Sequence, residues 1–136
     1  MPIDPLNVKQ VICYRRDLKM RKGKIAAQVA HASMKVFLLR NIGTPDRLVI
    51  PLEGPMAAWV QRRFTKVVLS VESEEDLLRI HQECLDRGIP TALITDAGKT
   101  EFGGVPTRTT VAVGPALVSD IDAITGPAGL VATKLA

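Results

Sequence analysis

The stretch Lys9–Leu39, KQVICYRRDLKMRKGKIAAQVAHASMKVFLL, decides the fold. Lys9–Arg16 centres on Val11, Ile12, Cys13 and Tyr14 and reads as a buried strand. Asp17–Gly23, DLKMRKG, reads as a basic loop. From Gly23 the period changes. Ile25, Val29, Ala32, Val36 and Leu39 recur at spacings of four, three, four and three, which is one apolar face of a helix. Ala26, Ala27, Ala30 and Ala32 favour that helix and keep it slim enough to lie close on a sheet. Lys24, Gln28, His31 and Lys35 mark the opposite, polar side. The helix is expected to end near Arg40–Gly43, before Pro45.

Outward from this unit, residues 41–55 hold several prolines and glycines and read as an irregular excursion, with a short extended piece at Leu48–Ile50. Pro55 suits the first turn of a short helix. Thr65–Val71 is expected to be a second strand. Ser73, Glu74, Glu75 and Asp76 form an N-cap and an acidic first turn, and Gly88 is a good terminator for the helix they open. Thr91–Thr95 and Thr109–Val113 read as third and fourth strands, joined by a Gly-rich loop at Asp96–Pro106. Gly114-Pro115 is expected to turn the chain into a last helix, with Leu117, Ile121 and Ile124 inward and Gly126 closing it. Helices between strands imply a three-layer α/β/α sandwich around a four-stranded mixed β-sheet. Strands three and four lack a helix between them and are candidate antiparallel neighbours.

Composition narrows the function. The chain has 136 residues, 46% hydrophobic and 24% charged, which suits one folded domain spanning 1–136 and excludes a disordered or fibrous chain. Two cysteines, Cys13 and Cys84, form no CxxC, so neither a zinc site nor a disulfide framework is expected, and a reducing cytoplasm is. No run is long enough to span a membrane. Residues 1–24 hold seven basic and two acidic side chains, the rest eleven and twelve, so one short stretch supplies the whole positive excess. Concentrated cations beside a neutral body fit a phosphate-rich partner.

Three places carry candidate chemistry. Lys22-Gly23-Lys24 at a helix start combines free N–H groups, the helix dipole and two ammonium groups into an anion site. His31 lies on the polar side of the same helix, with no Ser or Cys elbow to partner it, and suits hydrogen bonding better than general-base work. Asp96-Ala97-Gly98-Lys99-Thr100 follows an apolar strand, and open α/β sheets place ligands at the carboxyl ends of strands. It also reads as an ordinary Asx turn. If strands one and three run parallel, Asp96 and Lys24 face one cleft. A carboxylate that accepts a proton from water, beside an ammonium that steadies negative charge, makes a minimal ester-hydrolysis site. Thr100, Thr107 and Thr109 offer hydroxyls to orient the water or the carbonyl.

At these residues the chain resembles the type 2 peptidyl-tRNA hydrolase family. The likeness rests on RRDLKMRKGKIAAQVAHA (Arg15–Ala32), on Trp59 with KVVL (Lys66–Leu69), on ITDAGKTE (Ile94–Glu101), and on TRTTVAVGP (Thr107–Pro115) leading to IDAITG. The resemblance implies hydrolysis of the ester joining a peptide to the 3′-terminal ribose of tRNA, without a cofactor, in a protein that is often a homodimer. It maps functional positions onto Lys24, Gln28, His31, Asp96, Gly98, Thr100 and Thr109. Lys24, Asp96, Thr100 and Thr109 are then the expected catalytic residues. Arg15, Arg16, Lys19, Arg21, Lys22, Gln28, His31, Gly98, Lys99 and Thr107 are the expected substrate-binding residues. The expected partner is the acceptor arm of peptidyl-tRNA. Two rival readings keep the surface and change the chemistry: a non-catalytic RNA-binding or adaptor domain, and an esterase for another acylated tRNA.

Overall fold

The computed structural model describes residues 4–99 and 101–136. Strand β1, Val8–Arg15, leads through a 3-10 turn at Arg16–Leu18 into helix α1, Lys22–Leu38. Helix α2 is Pro55–Gln61, strand β2 Lys66–Val71, helix α3 Glu74–Arg87 and strand β3 Thr91–Asp96. Strand β4, Thr107–Leu117, precedes helix α4, Val118–Thr125, and a two-residue strand β5, Lys134–Leu135.

The sheet has five strands in the order β3-β4-β1-β2-β5, so the expected four gain one. β5 runs antiparallel to β2, opposite Leu69 and Ser70. The sheet is mixed: β1 and β2 are parallel, and β4 is antiparallel to both β1 and β3. Two antiparallel steps make β1 parallel to β3. Their carboxyl ends, at Arg15 and Asp96, therefore lie at the same end of the sheet.

Alternation sorts the side chains onto two faces. Val11, Cys13, Leu69, Val71, Val111 and Val113 pack with Leu77, Ile80 and Cys84 of α3 and Ile121 and Ile124 of α4. Ile12, Ala92, Ile94 and Ala112 pack on the other face, against Ala32 and Val36 of α1 and Met56 of α2. Trp59 is 1% exposed and donates its indole N–H to the Thr65 carbonyl at 2.6 Å, pinning α2 to the start of β2.

Three local expectations need correcting. Gly114-Pro115 does not end the fourth strand, because it sits inside β4. The register slips there, from Lys9 opposite Ala116 to Val11 opposite Val113, so Gln10 alone faces the Gly-Pro pair. A bulge of this kind lets proline occupy a central strand. The buried Gln10 amide bridges the slip, donating to the Gly114 and Ser33 carbonyls at 3.2 Å each. Leu48–Ile50 forms no strand. Its segment folds back on Asn41, whose Oδ1 accepts from the backbone N–H groups of Gly43 at 2.9 Å and Val49 at 2.8 Å. Finally, Gln28 on the expected polar side of α1 is buried, while Leu39 on the expected apolar side is 63% exposed. The helix is turned so that Gln28, Ala32 and Val36 meet the sheet.

Candidate active site

Lys24 and Asp96 meet. The Lys24 Nζ donates to Asp96 Oδ1 at 2.9 Å, and both side chains are about five-sixths covered, at 15% and 16% exposure. Local sequence explains both positions. Asp96 is the last residue of β3, on the face that carries Ile94 and looks at α1. Gly98 follows in a left-handed conformation, φ +81°, and its N–H donates to Asp96 Oδ2 at 2.9 Å, closing the Asx turn. Lys24 stands in the first turn of α1. No side chain caps that turn and no acid lies in it, so two lysines sit against the positive end of the helix dipole.

Gln28, one turn further along α1, completes the cradle. Its Nε2 donates to Asp96 Oδ1 at 3.2 Å. The Thr109 hydroxyl donates to Gln28 Oε1, which fixes the amide with its NH2 toward the carboxylate. Thr110 donates to the Gln28 backbone carbonyl at 3.2 Å. Adjacent strand residues normally face opposite ways. Here the β3–β4 register shifts between Ile94 and Thr95, opposite Thr110 and Arg108, leaving Thr109 as the extra residue of a bulge. That irregularity lets Thr109 and Thr110 both reach α1. Thr109 is fully buried and acts on Gln28, away from solvent.

The Asp96 carboxyl is held below its ordinary 3.8, first by the hydrogen bond from Lys24. Partial burial opposes this. The Gly98 N–H, the Lys24 charge and the Gln28 amide reinforce it. Asp96 is therefore ionised throughout the neutral range and is a weak base. Lys24 also lies over the Phe102 ring, 5.7 Å from its centroid, a cation–π contact.

The other expected residues fall around this pair in different ways. Thr107 is the cross-strand partner of Asp96 and donates to the Val105 carbonyl at 2.8 Å. Arg16, Lys19, Arg21, Lys22 and Lys99 are exposed. Met20 is buried among the cations and anchors their loop, while Lys19 takes a left-handed conformation at φ +53°. Arg16 lies 3.8 Å from Glu72. Arg15 differs from them. Its guanidinium grips Asp17 through two bonds of 3.1 and 2.7 Å, reaches Glu74 at 3.3 Å and donates to the Arg108 carbonyl at 3.2 Å. With 12% side-chain exposure it ties β1, β4 and α3 together. His31 is exposed and stands apart from the Asp96 cluster, lining a groove beside Ile94 and Thr95. Thr100 lies outside the described residues. Phe102 and Thr110 were not legible as site residues: one depends on the loop's course, the other on a bulge that TRTT does not announce.

A tied carboxylate–ammonium pair thus lies at the carboxyl end of a mixed sheet, the end at which open α/β sheets place ligands, with exposed cations on the adjoining loops. The family model described as Peptidyl-tRNA hydrolase PTH2 matches residues 8–131. A peptidyl-tRNA hydrolase of Halobacterium salinarum is 43% identical over 124 residues, covering 90% of this chain and 99% of that protein. One from Methanopyrus kandleri is 40% identical, covering 87% and 93%. A probable peptidyl-tRNA hydrolase 2 of Drosophila melanogaster is 38% identical, covering 88% of this chain and 60% of that one. The chain belongs to the peptidyl-tRNA hydrolase family, and hydrolysis is its class of chemistry. A solved protein of unknown function from Agrobacterium tumefaciens strain C58 shares the fold at 16% identity, with a TM-score of 0.56 over 96% of this chain and 98% of that one.

Proposed function

We infer that Lys24 and Asp96 carry the hydrolysis of the ester between a peptide and the 3′-terminal ribose of tRNA. The direct Lys24–Asp96 contact, held by Gln28 and Gly98, supports this reading above all else. An ionised carboxylate offers about four acceptor sites. Among the described residues Lys24, Gln28 and Gly98 take three, and the fourth, on Oδ2, orients water. Because Asp96 is weakly basic, it takes the proton as the water oxygen bonds to the carbonyl carbon, and not before. The Lys24 ammonium stabilises the oxyanion that forms. The bond to the ribose 3′-oxygen then breaks, that oxygen receives the proton from Asp96, the peptide acid releases its remaining proton to solvent, and a peptide carboxylate and tRNA leave. Thr109 and Gln28 hold the carboxylate in place. Arg16, Lys19, Arg21, Lys22 and Lys99 bind acceptor-arm phosphates, Arg15 being already engaged. Thr107, beside Asp96, and Thr100 complete the expected hydroxyl set, and His31 serves the substrate from the neighbouring groove.

The whole chain acts as one domain, and we assign it to the cytoplasm, where its substrate is made. Among the described residues no helix is long and apolar enough to cross a membrane. A homodimer is supported by the apolar flank beside α2, where Leu48, Val60 and Phe64 are all more than a third exposed around a groove of about 850 Å³. A non-catalytic RNA binder gains nothing from a carboxylate inside its cationic cleft. The deciding assay is release of tRNA from an N-blocked peptidyl-tRNA. Asp96→Asn is expected to lose at least a hundredfold in kcat/KM while retaining tRNA binding. Full turnover by Asp96→Asn removes the assignment, and binding without turnover by the wild type removes the enzyme reading. Comparing blocked with free-amine acyl-tRNA separates it from an esterase for other acylated tRNAs.

A further inference from the structure

The two edges of the sheet are treated differently. β2 is covered by β5, whereas the side of β3 turned away from β4 carries no strand among the described residues. Open edges are usually guarded by lysine, proline or a charge along the strand. β3 reads TALITD and has no charge before its last residue, Asp96. Beside this edge, below one flank of α1, runs a groove of about 570 Å³. His31, Met34, Lys35 and Leu38 line it from the helix, Leu39 from just past the helix end, and Ile94 and Thr95 from the strand, so the groove is apolar with one cationic side chain on its helix wall. The strand that borders the groove is the one that ends on the reacting carboxylate.

We propose that the peptide part of the substrate adds to this edge as an extra strand parallel to β3, its ester carbonyl delivered to Asp96 and its amino end pointing toward Thr91. The proposal rests on the peptidyl-tRNA reading and specifies its acyl subsite. A nascent peptide carries any sequence, so the one feature common to all substrates is the main chain. An unpaired strand edge recognises main chain through its alternate N–H and C=O groups. The groove under Met34, Leu38 and Leu39 accepts every second side chain without demanding one shape. The parallel direction follows from the position of Asp96, since only that orientation brings the carboxyl end of the peptide to it.

The test uses wild-type protein and tRNAs bearing one to five acylated residues. kcat/KM is expected to rise over the first few residues and then level off. N-methylation of single residues of the peptide, which removes one donor at a time, is expected to cost on the order of fivefold at alternate positions and little between them. Leu39→Glu is expected to flatten the length dependence. A flat length series in the wild type, or N-methyl effects without a period of two, overturns the proposal while leaving the hydrolase reading intact. Failure to cleave even the N-acetyl-aminoacyl substrate overturns that reading itself. A change of oligomeric state in Leu39→Glu, with the length series preserved, places a second copy on this edge and also overturns the proposal.

Discussion

Helices α1 and α3 lie on opposite faces of the same sheet and follow opposite rules. In α3 the Ser73 hydroxyl accepts from the Asp76 N–H at 3.1 Å, three acids occupy the first turn, and Arg87 stands in the last. Gly88, left-handed, closes it. Its buried residues, Leu77, Ile80 and Cys84, are all apolar. In α1 no side chain caps the first turn, lysines replace acids, and the most deeply placed polar residue is Gln28. A helix that satisfies every local preference is there to cover a core. One that violates them at a single end, in an otherwise consistent fold, is where a ligand is to be met.

The contrast can be broken most severely at Lys24. Lys24→Ala is expected to cost about 10²–10³ in kcat, together with a loss of stability, because the largely covered Asp96 carboxylate loses its counter-charge. It also removes the main influence holding the Asp96 carboxyl low. The carboxyl then rises toward its ordinary 3.8, so the acid limb of the pH–rate profile moves to higher pH. In the wild type, the stability contributed by the ionised carboxylate is complete above the ordinary value and is lost only as pH falls through the lower, folded one. An unmoved acid limb in Lys24→Ala contradicts the pairing. Thr109→Val comes next, since it frees the Gln28 amide to turn. About tenfold in kcat is expected, with restoration by Thr109→Ser and an unchanged substrate KM, a pattern that plain loss of packing does not produce.

Phosphate binding is expected to show more modest effects. Five surface cations at the α1 end give a log–log salt slope of tRNA affinity of about −4, and Lys19→Ala with Arg21→Ala lowers its magnitude by about 1.5. Salt-independent binding would remove α1 as the docking end. The smallest effect belongs to α3. Ser73→Ala is expected to cost about 1 kcal/mol of stability in urea unfolding and to leave kcat untouched.

The same contrast explains what the sequence made legible. The bounds of α3 could be read because its signals are local: a cap, an acid triplet and a terminal glycine. The Lys24–Asp96 meeting was legible conditionally, through the parallel sense of strands one and three, which β4 supplies by lying antiparallel between them. Gln28 was misplaced because periodicity groups residues by polarity, whereas α1 buries an amide to hold a carboxylate. Gly114-Pro115 looked like a stop because its tolerance depends on Gln10, more than a hundred residues away. β5 is two residues long and has no pattern to detect; it exists through its pairing with β2.

Gly98 limits how the loop behind Asp96 can be redesigned. A β-carbon there would sit 2.1 Å from the Val105 carbonyl oxygen, in a backbone conformation that side chains already disfavour. Gly103 and Gly104 share the positive φ but open onto empty space. A randomised library across this segment, selected for turnover, would thus return a single letter at 98. At 103 and 104 it would admit asparagine and aspartate as well, so tolerance in this turn is set by which backbone lies opposite each residue.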